Sequence, residues 1–420
     1  MAEHTRRGFL KTASAGVAAV GVPAVIVHGD DKKSKVIEAR DYLKRILYTR
    51  KDVDDWLAGR DFVFAKYDSG LGWLLKNAKF VEGIDGSTCI YHYERQGEGE
   101  RKMIAHAEKP CRVNTYGDSF TMCHQVNDGE TWQEILASHF CEPVKNFGVG
   151  AWSVYQAYRR MLREEARTPA DVIILNIYDD DHYRNLDAWR QIRAGRDVRF
   201  LCPTCPHLKV NIADEKVEEM DNPCPTPESV YNLCDLDWVV DRFKDDFVLG
   251  IMLAHANAKA GNPDRAYKAI MDLATTHGIN TKIDRGERLS HDAMVLHARA
   301  ALMATTQIVD WVERFAKESG KKVLYVLSFN ATTIAKRLRE GTRFDQDFVA
   351  NLHQKKLPVV DLMEEHVADF KQHSLSVDDY LRRYYIGHYN PHGNFFTAMA
   401  IRRNLLDLLD PRPVTYPKAS

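Results

Sequence analysis

The chain has 420 residues, enough for about two domains or for one elaborated domain. Hydrophobic residues make up 45% of it and charged residues 28%, a balance typical of a soluble globular protein with a sizeable core. Lys and Arg number 58 and Asp and Glu 59, so the formal net charge is −1. This balance argues against nucleic acid as the main partner, because neutralising phosphates requires a basic face.

The N-terminal residues carry the pattern of an export signal. Arg6 and Arg7 form a twin-arginine pair, and a small apolar run follows from Ala13 to Val27. That run is roughly fifteen residues long, short for a spanning helix and typical of the apolar part of a signal peptide. We therefore predict a twin-arginine signal region over residues 1–29, recognition by the twin-arginine translocation machinery, and a periplasmic or extracellular protein without a stable membrane span after processing. The alternatives are a retained membrane anchor and a chance basic start of the chain.

Residues 30–110 form a predicted N-terminal region. Residues 31–60 are charged and carry apolar residues at helical spacing, which favours helix. Residues 61–110 are rich in glycine and aromatic residues without a long periodic run, so we predict a partly β-stranded segment there.

From residue 111 onward, short apolar segments alternate with turn or helix signals. Five of them are predicted strands: residues 112–116, 144–149, 171–178, 323–328 and 357–362. The third is an apolar run of the kind that lies buried on both faces of a parallel sheet. Strands that alternate with helices predict βαβ units and a three-layer α/β/α sandwich. The core then comprises residues 111–189 and 301–410.

A mainly helical insertion is predicted between the two parts of the core, over residues 190–300. Its helical stretches cover residues 236–276 and 289–317, and the second of these leads back to the fourth strand. Four of the eight cysteines lie in its first part: Cys202, Cys205, Cys224 and Cys234. One Cys-x-x-Cys with two scattered partners is a weak zinc signature, so disulfides or loop packing are favoured over a structural metal.

The residues that follow the predicted strands are the candidates for chemistry, because ligands bind at the carboxyl ends of strands in an open parallel sheet. The first strand ends at Gly117 and Asp118, so Ser119 would begin a helix and can serve as a nucleophile if a base reaches it. His388, in a turn before the terminal helix, is placed to be that general base. Helix capping by Ser119 and a solvated His388 are the alternatives.

Two further turns follow predicted strands. The second strand leads into Gly148-Val149-Gly150-Ala151, whose backbone N–H groups can point at a developing oxyanion, although an ordinary glycine-rich turn has the same composition. The third strand ends in Asp179-Asp180-Asp181-His182. These residues can form a solvated acidic loop, a divalent-metal site, or a partner for the oxyanion or the substrate.

These segments together resemble the SGNH (GDSL-like) hydrolase family. The resemblance covers about residues 111–189 and 320–408 and rests on Gly117 to Thr121, on Asn146-x-Gly148-Val149 through Gln156, on the polar residues after the third strand, and on His388-x-Asn390-Pro391-x-Gly393. It implies a flavodoxin-like α/β/α sandwich with Ser119 as nucleophile and His388 as base, and no metal or cofactor is predicted.

The resemblance also implies an oxyanion hole. Its donors would be the N–H of Ser119, the N–H of Gly150 or of Ala151 depending on a one-residue register, and a side chain at Asp180, which aligns with an asparagine of the family. An ionised aspartate has no hydrogen to donate, so Asp180 would have to be protonated or have another task.

The family usually has an aspartate shortly before the histidine, and Ile386 stands at that position here. The simplest hypothesis is therefore a Ser–His dyad in which a main-chain carbonyl orients His388. Asp378 or Asp379 is the alternative source of a carboxylate.

We expect an exported serine esterase or deacylase that cleaves a small-molecule or glycan ester through an acyl-enzyme. The resemblance favours acylated carbohydrates, and five aromatic residues near the predicted site can stack on sugars or pack in the core: Tyr116, Trp152, Tyr178, Tyr183 and Tyr389. Three alternatives remain open. They are a carbohydrate O-acyltransferase, a non-catalytic glycan-binding protein, and a metal-dependent hydrolase that uses the acidic loop, with or without His124.

Overall fold

A computed structural model describes residues 36–60, 65–196, 203–212, 214–277 and 288–416 of the protein. The predicted export signal and Cys202 lie outside these residues. Contacts between Cα atoms divide the chain into two compact units. The first includes residues 74–181 and 308–416, and the second includes residues 36–73 and 182–307.

The strands are short and distributed along the chain. In chain order they are β1 (Ala65–Asp68), β2 (Gly72–Leu75), β3 (Ala78–Val81), β4 (Thr88–Tyr91), β5 (Val113–Tyr116), β6 (Lys145–Asn146), β7 (Val172–Tyr178), β8 (His207–Asn211), β9 (Lys216–Met220), β10 (Lys322–Ser328) and β11 (Val359–Asp361).

The helices range from single turns to one long helix that ends just before β10. In chain order they are α1 (Ala39–Lys44), α2 (Arg50–Ala58), α3 (Ser119–Met122), α4 (Trp132–Phe140), α5 (Val154–Glu165), α6 (Asp181–Arg184), α7 (Gln191–Ala194), α8 (Leu236–Phe243), α9 (Phe247–Lys259), α10 (Pro263–Thr276), α11 (Leu289–Ser319), α12 (Ala331–Glu340), α13 (Gln346–Gln354), α14 (Leu362–Phe370), α15 (Val377–Arg382) and α16 (Pro391–Leu408). Short 3-10 segments lie at Ile84–Gly86, Arg95–Gly97, Asp128–Glu130 and Glu228–Cys234.

A five-stranded parallel sheet forms the centre of the first unit, in the order β11–β10–β7–β5–β6. Each predicted strand overlaps one of these five, so the expected α/β class with a parallel sheet is confirmed. β6 is shorter than predicted because the chain leaves the sheet after Asn146 and runs against α3. A Cβ added to Gly148 would lie only 2.2 Å from the main-chain nitrogen of Met122, so this close approach requires glycine.

Helices cover both faces of β5. The side chains of Asn114 and Tyr116 donate hydrogen bonds of 2.7 and 2.8 Å to Glu165 at the end of α5. Between them, the Thr115 hydroxyl accepts a hydrogen bond of 3.1 Å from the side-chain amide of Gln133 in α4. Successive side chains of a strand point to opposite faces of the sheet, so α4 and α5 lie on opposite sides of β5.

The second unit is mainly helical. Several of its aromatic residues pack in the interior, where the buried Tyr48 and Trp189 rings meet edge to face at 5.5 Å. The sequence did not predict the antiparallel hairpin of β8 and β9. The described cysteines form no disulfides with one another, and Cys205 and Cys224 are buried as free thiols.

Two structural features are absent from the described part of the chain. Its histidine, cysteine, aspartate and glutamate side chains do not gather in groups of three or more that could hold a metal ion. None of its helices combines the length and apolar character needed to cross a membrane.

Candidate active site

The carboxyl ends of β5 and β7 mark the place where the strand order reverses. From β5 the chain first adds β6 on one side, then returns to place β7 on the other side. Ligands of open α/β sheets bind at such a reversal. Ser119 follows β5 by three residues and lies at this point.

The turn between β5 and α3 fixes the position of Ser119. Gly117 has a φ of +154°, and a Cβ there would lie 2.2 Å from the Thr121 hydroxyl, so the turn requires glycine. Asp118 caps the helix by accepting a hydrogen bond of 2.9 Å from the Phe120 N–H. The Ser119 side chain emerges at the first helical position, with 9% of the residue exposed.

The structure brings Ser119 and His388 together across 269 residues of sequence, with 2.8 Å between Ser119 Oγ and His388 Nε2. The Ser119 hydroxyl also lies 3.1 Å from a carboxylate oxygen of Asp118. Phe120 packs against the imidazole, with 5.0 Å between ring centroids. A serine hydroxyl and an imidazole nitrogen at this distance can exchange a proton directly.

His388 lies in a tight turn that two tyrosines close. Tyr385 and Tyr389 form an antiparallel bridge across the turn, and their hydroxyls are 3.0 Å apart. Both hydroxyls also contact Nε2 of the buried His366, at 3.3 and 3.0 Å respectively. Within the turn, Gly387 adopts a φ of +126°, a conformation that L residues rarely adopt.

The side chain of Gln125 contacts the other side of His388. Its amide oxygen accepts a hydrogen bond of 2.8 Å from the His388 main-chain N–H and lies 3.3 Å from Nδ1. A glutamine amide therefore occupies the place where the sequence suggested a main-chain carbonyl. The alternative carboxylates have other partners, since Asp378 pairs with Arg339, and Asp379 pairs with Arg382 and accepts a hydrogen bond from Ser376.

Gln125 is held by the hairpin that β3 and β4 form. Its side-chain Nε2 donates to the main-chain oxygen of Glu82 at 3.2 Å. Its main-chain N–H donates to the Tyr91 hydroxyl oxygen at 2.7 Å, and that hydroxyl donates to the Glu82 carboxylate at 2.6 Å. Glu82 thus supports Gln125 at both ends.

His124 is the second imidazole next to the site. Its Nε2 lies 3.4 Å from the Glu82 carboxylate, and its ring meets that of His388 edge to face at 4.9 Å. Burial favours the neutral form of Glu82, but its hydrogen bonds with His124 and Tyr91 outweigh this effect and lower its pKa. Glu82 is therefore a carboxylate at neutral pH.

Arg101 fixes the segment between α3 and Gln125. Its buried guanidinium donates to the main-chain oxygens of Met122 at 2.6 Å, Cys123 at 2.9 Å and Val126 at 2.6 Å, and to Asp128 at 2.8 Å. These bonds hold a segment in which Cys123 and Gln125 have φ of +60° and +72°.

Sequence reasoning missed the residues that support His388, namely Glu82, Tyr91, Arg101 and Gln125. A buried arginine and a left-handed glutamine carry no motif that separates them from surface residues. The only signal is that Gln125 follows Ser119 by six residues and so belongs to the same segment.

The loop predicted to contribute to the oxyanion hole lies against α3. The Val149 N–H donates to the Gly117 oxygen at 3.1 Å, and a Cβ added to Gly150 would lie 3.5 Å from the sulfur of Met122. Ala151 has a φ of +65°. Gly150 and Ala151 are thus in the segment beside the serine turn, and both remain predicted donors. Asp180, half-buried two residues after β7, remains a predicted contributor as well.

The acidic residues after β7 separate toward different partners. Asp179 accepts hydrogen bonds from the Asn330 side chain at 2.7 Å and the Thr333 hydroxyl at 2.6 Å. Asp181 accepts from the Tyr178 N–H at 3.2 Å, and His182 contacts the Thr305 hydroxyl at 2.8 Å. Within the described residues, these side chains therefore do not form the cluster of ligands that the metal-dependent alternative requires.

Most of the aromatic residues proposed for sugar stacking belong to the core. Tyr116, Trp152, Tyr178 and Tyr389 are between 0% and 3% exposed, so none presents a face to a ligand. Only Tyr183 among the five is partly exposed, and it belongs to the second unit.

Comparison with models of protein families finds no family that matches this chain, and comparison with curated proteins finds no match either.

Proposed function

We propose that the protein is a serine esterase or deacylase of the SGNH type. The observation that carries the proposal is the 2.8 Å contact between Ser119 Oγ and His388 Nε2 at the carboxyl end of β5. Activation of a serine by general base catalysis requires this contact, together with a group that orients the base. A binding protein has no need of it, so the geometry favours catalysis over glycan binding alone.

The reaction follows from the two side chains. His388 Nε2 takes the Ser119 proton as Oγ attacks the acyl carbonyl, and N–H groups of Ser119 and the Gly150–Ala151 loop stabilise the oxyanion. The ester C–O bond then breaks, and the leaving alcohol takes the proton from His388. Water, deprotonated by His388, attacks the acyl-enzyme and releases the carboxylic acid and the free serine.

The finer fold and the family are part of the same proposal. Numbered along the chain, the sheet strands follow the order 2-1-3-4-5, the order of flavodoxin-like folds. With helices on both faces of β5, this order supports a flavodoxin-like sandwich. The twin-arginine pair at Arg6 and Arg7 supports export to the periplasm or beyond, with the translocation machinery as partner.

The substrate is proposed only by class, as an ester with a small or carbohydrate alcohol. An O-acyltransferase would form the same acyl-enzyme and pass the acyl group to a sugar hydroxyl. Adding a sugar acceptor separates the two, because a transferase yields acylated sugar and a hydrolase yields free acid.

Ester turnover tests the proposal. The purified protein should hydrolyse p-nitrophenyl acetate or an acetylated sugar, and Ser119→Ala should lower kcat/KM by at least about 10³-fold. Ser138→Ala, which alters a helical serine bonded to the Glu134 main-chain oxygen, is the matched control and should leave turnover unchanged. A folded wild type that turns over none of a panel of esters would contradict the proposal and favour glycan binding.

A further inference from the structure

The hydrogen bonds of Gln125 determine which way its amide points. The His388 main-chain N–H can only donate, so the atom that meets it at 2.8 Å is an acceptor, the Gln125 oxygen. The Glu82 main-chain oxygen can only accept, so the atom that meets it at 3.2 Å is the Gln125 NH₂ group. The two contacts agree on a single orientation of the amide.

This orientation selects the tautomer of His388. Nδ1 lies 3.3 Å from the same Gln125 oxygen, which has no hydrogen to donate. The neutral ring therefore carries its proton on Nδ1, and the lone pair of Nε2 faces Ser119. That is the tautomer in which His388 can accept the serine proton.

We propose that Gln125 is the positioning residue of His388 and replaces the carboxylate that usually orients such a base. The inference rests on the proposed function for its catalytic meaning. Gln125 fixes the ring through two contacts from one oxygen, one to the main chain and one to Nδ1. Being neutral, it orients the base without adding a negative charge beside the imidazolium that forms during the reaction.

The charges around His388 come from other groups. The Asp118 carboxylate lies 3.1 Å from the Ser119 hydroxyl, and the His124 ring meets the His388 ring edge to face. The Glu82 carboxylate pairs with His124, and the Glu82 main-chain oxygen accepts a hydrogen bond from Gln125. The contact at Nδ1 comes from Gln125. A change of charge at Gln125 should therefore alter the pH dependence of the base in a predictable direction.

Gln125→Glu tests this directly through the pH profile. A carboxylate beside Nδ1 stabilises the imidazolium, so the acid limb of kcat/KM should move to higher pH by about one unit or more. Gln125→Ala should lower kcat by about 10²-fold with KM little changed. The variant removes the group that orients the His388 ring but leaves the contacts that bind the substrate. Asp378→Asn and Asp379→Asn are controls, and each should change kcat and KM by no more than about twofold. An acid limb that does not move in folded Gln125→Glu, or full kcat in Gln125→Ala, would overturn the inference.

The tautomer provides a readout that does not need turnover. Nitrogen NMR of ¹⁵N-histidine-labelled protein, with His388 assigned by His388→Ala, should show the neutral ring protonated at Nδ1 in the wild type and redistributed toward Nε2 in Gln125→Ala. A wild-type ring protonated at Nε2 would overturn the inference. If the wild type shows the Nδ1–H tautomer but cleaves no ester, the proposed function fails while the positioning role of Gln125 stands.

Discussion

The amide oxygen of Gln125 lies 2.8 Å from the main-chain nitrogen of His388, although 263 residues separate them in the chain. Gly387 makes this approach possible, because a Cβ at that position would lie 2.7 Å from the same amide oxygen. The serine-bearing segment and the histidine-bearing turn therefore meet at a glycine. Three side-chain features of the site depend on that meeting: the Gln125 orientation, the His388 tautomer and the contact with Ser119.

Gly387→Ala should lower both the activity and the stability of the protein. The new methyl group should push the flexible Gln125 amide away from His388 and lower kcat by about 10²-fold. The φ of +126° adds a backbone cost of about 1–3 kcal/mol in the free energy of unfolding. Denaturant unfolding and ester turnover measure the two effects.

Gly341→Ala is the matched control for that variant. Gly341 also has a positive φ, +73°, but a Cβ there meets nothing within 4 Å. It should lose about 1 kcal/mol of stability and no activity. Equal losses of turnover in the two variants would contradict a specific role for Gly387.

Arg101→Met should destabilise the protein strongly. Arg101 is 2% exposed and donates to four main-chain oxygens and the Asp128 carboxylate, which would all lose a buried partner. We expect a loss of about 3–5 kcal/mol in the free energy of unfolding, measured with denaturant. Arg339→Met, which breaks the exposed pair with Asp378, should cost no more than about 1 kcal/mol. Similar losses of unfolding free energy in Arg101→Met and Arg339→Met would contradict a large contribution of the buried Arg101 to stability.

His366 should make the protein less stable in acid. Burial lowers its pKa from 6.5 to about 3, so between these values the unfolded chain binds a proton that the folded chain does not. Stability should therefore fall as the pH decreases through that window, with a slope of up to about 1.4 kcal/mol per pH unit from this group. Unfolding at several pH values should show a smaller slope in His366→Asn. Exposed His353→Asn is the control, and a slope unchanged by His366→Asn would contradict the assignment.

A chelator should leave turnover unchanged. Asp179 is bonded by Asn330 and Thr333, and His124 pairs with Glu82, so these side chains have other tasks than holding a metal ion. Turnover before and after dialysis against EDTA measures this. Loss of activity that Zn²⁺ or Mg²⁺ restores would instead support the metal-dependent alternative.

The parallel sheet was predictable because its signals are local. The two central strands β7 and β10 are mostly apolar runs, and the turns after β5 and before α16 contain the glycine, serine and proline that such turns use. Ser119 could be predicted from sequence because it follows a strand of a parallel sheet, whose carboxyl end binds ligands. His388 could be paired with it because it stands in a turn before the terminal helix and matches the histidine motif of the family resemblance.

The residues that support His388 were not predictable, because their roles depend on contacts far apart in sequence. Gln125 acts through a left-handed backbone that Arg101 stabilises, and no glycine marks that conformation. The β8–β9 hairpin was missed for a related reason. Lys216–Met220 is charged and has only two apolar residues, so it shows no alternation of apolar and polar residues. It forms a strand because it pairs with the neighbouring β8.

The central claim, that Ser119 is a nucleophile activated by His388, is tested most directly by covalent labelling with a fluorophosphonate probe. The serine oxygen attacks phosphorus and displaces fluoride, and peptide mass spectrometry locates the modified residue. We predict labelling of the wild type at Ser119, none in Ser119→Ala, and a rate at least about 10³-fold lower in His388→Ala. A folded wild type that stays unlabelled under conditions that label a known serine esterase, or that is labelled elsewhere, would contradict the claim.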